Sequence, residues 1–148
     1  MKKLLFAGMT VVALGAGITV SPVVQNVHAQ KIVTAAQVNG TWECKTGTFK
    51  ILALGNQKLK VEFSGIYEYR DGNGDPTANT GEGSGTADIE GDTAIFNPYP
   101  DDAECKITMK FTDGKMIVTQ EGTCGFGHNV TAAGTYRKTS SAKPKFSS

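Results

Sequence analysis

Three groups of residues in this chain have the types and spacing for chemistry. The first is Asp71-Gly72-Asn73-Gly74-Asp75-Pro76-Thr77-Ala78-Asn79-Thr80-Gly81-Glu82. Counted from Asp71, oxygen-bearing side chains fall at positions 1, 3 and 5, with Asn79 at 9 and Glu82 at 12. A hard cation takes about six to eight oxygens, and small residues between the ligands let a chain wrap it. Asp71, Asn73, Asp75, Asn79 and Glu82 are therefore candidate ligands of a weak calcium site that orders a loop. The competing reading is an ordinary surface loop, which uses the same residue types.

The second group is Cys124 and His128, four residues apart. An imidazole beside a thiol could generate thiolate for nucleophilic attack. No third residue can be named to orient the imidazole, and a disulfide competes for Cys124. The third group is the acidic stretch of Asp88, Glu90, Asp92, Asp101, Asp102 and Glu104. Two carboxylates held about 5–9 Å apart could cleave a glycosidic bond. Turn positions and solvated strand faces account for the same residues.

Any such group must be positioned by strands, because no helical pattern exceeds a turn. Leu59, Val61 and Phe63 alternate with Lys58, Lys60 and Glu62, the period of a half-buried strand. Cys105, Ile107, Met109 and Phe111 alternate in the same way before Asp113-Gly114. That dipeptide favours a two-residue hairpin turn, and Lys115–Glu121 returns from it. Further strands are expected at Thr41–Lys45, Phe49–Leu54, Ala87–Glu90, Thr93–Phe96 and Val130–Lys138, with a bulge or bend at Gly65 before Tyr67 and Tyr69. Arg70–Thr86 reads as a long polar loop, Gln30–Asn39 as a leader and Thr139–Ser148 as a frayed tail. Trp42, Tyr67 and Tyr69 fall on inward positions and are expected in the core. The fold class is all-β: a small antiparallel β-barrel of about eight strands, or a barrel-like sandwich, spanning residues 40–138.

The chain of 148 residues opens with Lys2 and Lys3, an apolar run from Leu4 to Val20, and Val27-His28-Ala29. This is the plan of a signal peptide (residues 1–29) cleaved after Ala29. Export leads to an oxidising compartment, periplasmic or external, where disulfides persist. Cleavage takes the net charge from +1 to −1 and leaves His128 as the remaining histidine. Bulk positive charge for nucleic acid is absent, as is any pair of imidazole ligands. No membrane span is expected after cleavage. Three cysteines allow one internal bridge. With the turn at Asp113-Gly114, residue 105 faces residue 122. Cys124 shares that side-chain parity, so Cys105–Cys124 is the expected disulfide and Cys44 a buried free thiol.

Gly40-Thr41-Trp42 followed by antiparallel strands resembles the start of lipocalin-type and avidin-type barrels. Such barrels pack this tryptophan near one end, although avidin's further tryptophans are missing here. The run from Cys105 through Cys124-Gly125-Phe126-Gly127, Val130 and Gly134-Thr135-Tyr136 resembles the end of small exported bacterial domains of unknown function. That resemblance implies a bacterial envelope protein. Periplasmic lysozyme inhibitors share the small-barrel-with-bridge plan, and their loop is matched here at Ser84-Gly85, while Thr86 and Ala87 depart from it. The Asp71–Glu82 spacing is similar to an EF-hand loop, with Pro76 where that loop turns on glycine. Together these features predict a non-catalytic exported binding or interaction domain, its envelope partner (a protein or a small molecule) unidentified and no cofactor beyond the calcium candidate. The alternatives are an inhibitor of a cell-wall hydrolase and, third, a secreted hydrolase using acidic residues.

Overall fold

The structure, a computed structural model, describes residues 32–101 and 104–147. The expected signal peptide and Asp102 lie outside the described residues. Eight antiparallel strands close into a barrel in chain order, with the last pairing back onto the first. They are β1 (Gly40–Cys44), β2 (Gly47–Gly55), β3 (Lys58–Arg70), β4 (Pro76–Glu90), β5 (Thr93–Phe96), β6 (Lys106–Thr112), β7 (Lys115–Glu121) and β8 (Gly134–Ser140). A one-turn helix, α1 (Ala35–Val38), precedes them inside the expected leader, with Thr34 and Gln37 forming a capping box.

Local chemistry explains most corners. Asp113 and Gly114 both take positive φ, 41° and 77°, which suits the twist of the β6–β7 hairpin. Asn56 and Gln57 do the same between β2 and β3, at 48° and 58°. The inward set of each strand fills the barrel. Phe49 packs on Phe63 and Tyr136, with ring centroids 4.8 Å and 5.0 Å away. Trp42 meets Phe111 edge-on at 5.6 Å, and its indole N–H donates to the Val38 carbonyl at 2.9 Å, so α1 covers that end. No described polar or charged residue is buried.

Five expectations are corrected. Arg70–Thr86 is not a long loop: β3 runs on to Arg70, a tight turn covers 71–75, and β4 starts at Pro76. Gly81, Gly83 and Gly85 alternate with Glu82, Ser84 and Thr86, and Gly81 and Gly83 are buried. A Cβ at Gly81 would lie 2.7 Å from Phe126, and one at Gly83 2.6 Å from Pro98. The absent side chains let two loops close over the sheet. Gly65 carries no bulge, since β3 pairs with β4 in unbroken register through it.

Tyr67 and Tyr69 are not in the core. They keep the inward parity of Phe63, but β2 stops opposite Gly65, so both rings lie past the rim at 39% and 41% exposure. The last strand is Gly134–Ser140 rather than 130–138, and Val130 and Ala132 are buried from an irregular segment. The tail is anchored, not frayed. Ser147 donates its amide to Glu62 at 2.6 Å, and Phe146 lies under the Lys60 ammonium at 4.4 Å.

Candidate functional site

With the interior filled, the concave surface is outside. Outward residues of three neighbouring strands stand in register: Thr48, Ser64 and Glu82 in one row, Lys50, Glu62 and Ser84 in the next. Their alternation with inward Phe49, Ile51, Val61 and Phe63 puts them there. Pro98 and Tyr99 form one wall and Ser147 the other, enclosing about 520 Å³. Tyr99 is fixed twice: its hydroxyl donates to the Glu82 carbonyl at 2.6 Å, and its amide donates to Asn97 Oδ1 at 2.8 Å.

Charge in this groove is unevenly held. Lys50 Nζ lies 2.6 Å from Glu62 Oε1. Partial burial opposes ionisation of Glu62, but the Lys50 hydrogen bond and the Ser147 amide outweigh it and hold the carboxyl below its usual value. No described residue hydrogen-bonds the Glu82 carboxylate, which is left facing the groove. Because the folded pKa of Glu62 is depressed, its contribution to stability is full above the ordinary value of 4.5 and is lost as pH falls through the folded value. Glu62→Gln is therefore expected to flatten the acid limb of a Tm-against-pH curve below about 4.5. The same variant should speed amide exchange at Ser147. An unchanged acid limb would contradict this role for Glu62.

The expected site residues lie elsewhere or apart. Asp71 serves its own turn: Oδ1 accepts from the Asn73 and Asp75 amides at 2.8 Å and 2.9 Å. Asn73 and Asp75 share that turn, but Asn79 and Glu82 are on β4. Glu82 is seven residues along an extended strand from Asp75, about 23 Å. The wrapped loop that the spacing predicts is thus not formed. Asn79 instead donates its amide to the His128 carbonyl at 2.8 Å. Among the described residues, no group of three or more His, Cys, Asp or Glu is placed to hold a metal.

Cys124 is bonded to Cys105 across a Cα separation of 4.5 Å, as the parity argument expects. It therefore carries no thiolate, and His128 is an exposed loop residue. Cys44 is free but half-buried rather than buried, its sulfur 3.6 Å from the Thr46 hydroxyl. The nearby Tyr136 hydroxyl donates to the Ala132 carbonyl, and burial, reinforced by Cys44, pushes its pKa up. Of the acidic stretch, Asp88 pairs with Lys58 and Asp92 accepts from the Thr93 hydroxyl. Asp101 and Glu104 are in the β5–β6 connection, and none of the described residues of the stretch lines the groove. Ser84-Gly85 is within β4, not in a loop, and Ser84 lines the groove.

Sequence reasoning missed the groove. The signal was the glycine alternation from Gly81 to Gly85, which turns Glu82 and Ser84 into outward strand residues next to Ser64 and Glu62. No helix among the described residues is long and apolar enough to cross a membrane. Comparison with family models, with curated proteins and with solved structures finds no match for this chain.

Proposed function

We propose that this chain is a non-catalytic exported binding domain whose contact site is the groove on the outer faces of β2, β3 and β4. The observation that carries this is the pairing of a filled barrel with a concave polar surface outside it. Four serine and threonine hydroxyls, an unpartnered carboxylate, an ammonium and a tyrosine ring suit a polyhydroxylated ligand such as a glycan strand. Catalysis is not favoured at the same place. A glycosidase needs a carboxyl held protonated, and Glu62 is held the other way. Export is supported by the Cys105–Cys124 bridge, which persists in an oxidising compartment.

Titrating the isotopically labelled domain with soluble peptidoglycan fragments and with chito-oligosaccharides tests this. Shift changes are expected at Ser64, Glu82 and Tyr99, with Glu82→Ala or Tyr99→Ala weakening binding about tenfold, or about 1.4 kcal/mol. Changes confined to other faces, or none with either glycan, would overturn the groove reading. One further observation favours the hydrolase-inhibitor alternative. The β3–β4 hairpin projects past the rim, offering Tyr67 and Tyr69 as a convex element that could enter an enzyme cleft. A lysozyme turbidity assay decides it, since a Tyr67→Ala, Tyr69→Ala variant should lose inhibition only if the hairpin inserts.

A further inference from the structure

The two long edges of the projecting hairpin are treated differently by this chain. Asp71 donates its amide to the Asp75 carbonyl, so odd-numbered residues of β3 bond β4. Ile66 donates to Thr46 on the other side, so even-numbered residues face the β2 edge. Register with β2 ends at Gly65, which leaves the N–H and C=O of Glu68 and Arg70 without a strand partner among the described residues. The outer edge of β4 is more obstructed, although the N–H and C=O of Ala78 also face it without a partner among the described residues. Pro76 has no N–H to offer, Tyr99 occupies the Glu82 carbonyl, and Gly127 sits close against the Thr80 carbonyl.

We propose that the open β3 edge is a self-association edge, occupied by β3 of a second copy of this chain. Charge pattern and parity both select that partner. A two-fold axis at Tyr69 sets Glu68 opposite Arg70 of the partner subunit, and Arg70 opposite the partner's Glu68. All four edge groups of each copy then find partners, because Glu68 and Arg70 are the residues whose main chain faces outward. Opposite charges directly across a strand pair are favourable, and a one-step slip loses both ion pairs. The opposite face gathers Tyr67 and Tyr69 from both copies. These rings already stack within one chain, with centroids 6.0 Å apart, and are left half-exposed. One Arg70 nitrogen donates to the Gly74 carbonyl at 2.7 Å, which holds the side chain near the edge and leaves its other donors free. The result is a four-stranded sheet joining two barrels, formed away from the groove.

Sedimentation equilibrium on the purified disulfide-bonded protein, to about millimolar concentration, tests it. A reversible monomer–dimer equilibrium is expected. E68R and R70E should each weaken it about tenfold by setting like charges opposite, and the double variant E68R/R70E should restore it. Glu68→Pro should abolish it by deleting one edge N–H, with Tm little changed because that N–H makes no bond within the chain. A monomer throughout overturns the proposal. So does a double variant as weak as the single ones, or a dimer indifferent to Glu68→Pro.

Discussion

Trp42→Ala is expected to lower stability by about 3–5 kcal/mol, the range for removing a buried aromatic and leaving its volume unfilled. Small domains hold about 5–15 kcal/mol in total, so the variant should be partly unfolded at 37 °C or close to it. Three contacts set the size of the effect. The ring is 2% exposed, lies edge-on to Phe111, and supports the Lys138 ammonium 4.9 Å above it. Its N–H also ties α1 to the barrel through the Val38 carbonyl. Trp42→Phe keeps most of the packing and loses the hydrogen bond, so a loss of about 1–2 kcal/mol is expected. Urea unfolding followed by circular dichroism separates the two variants, since Trp42 is the chain's one tryptophan and fluorescence is lost with it. A cost below about 1 kcal/mol for alanine would mean that α1 and Phe111 collapse into the space.

The second large effect is expected from the bridge. Cys105→Ser, Cys124→Ser or reduction of the disulfide releases a loop with a sequence separation of 19. The chain-entropy model assigns about 3 kcal/mol to such a closure, which for a domain near 100 residues is a Tm drop of about 12 °C or more. The loss should not be uniform. Cys124 tethers the segment carrying Phe126, which packs on Phe63 at 4.9 Å and covers Gly81. Amide exchange should therefore rise first around residues 125–131, ahead of global unfolding. Cys44→Ser removes a half-buried thiol and should change Tm by little. If the two serine variants melted like the native protein, the loop would be held by packing alone.

The legible parts of this fold are those written in neighbouring side chains. Leu59, Val61 and Phe63 declare a strand, Asp113-Gly114 declares its turn, and the two together carry Cys105 to Cys124 by parity. The illegible parts depend on what a residue lacks or on distant partners. Gly81, Gly83 and Gly85 mark an inward face by having no side chain, and the same composition describes a loop. Tyr67 and Tyr69 follow the inward parity correctly, but only the length of β2 shows that the barrel ends before them. Phe146 and Ser147 look like an unstructured tail until Lys60 and Glu62 are placed beneath them. The groove needed the first and the last of these facts together, since Glu82 comes from the glycine-rich strand and Ser147 from the tail.

Closure of the barrel has a consequence for the order in which the chain can fold. Every other strand pair joins neighbours in sequence, but β1 meets β8 across nearly the whole domain, with Thr41 opposite Ser140. A ribosome delivers β8 after the other seven strands, so the seam cannot zip before them, and hairpins formed earlier leave β1 with one edge bare. Contacts this remote in sequence are slow to form because their loop entropy is lost before they are made. The nascent chain thus stays an open, threadable sheet until β8 emerges, and barrel closure becomes the last strand pairing to form.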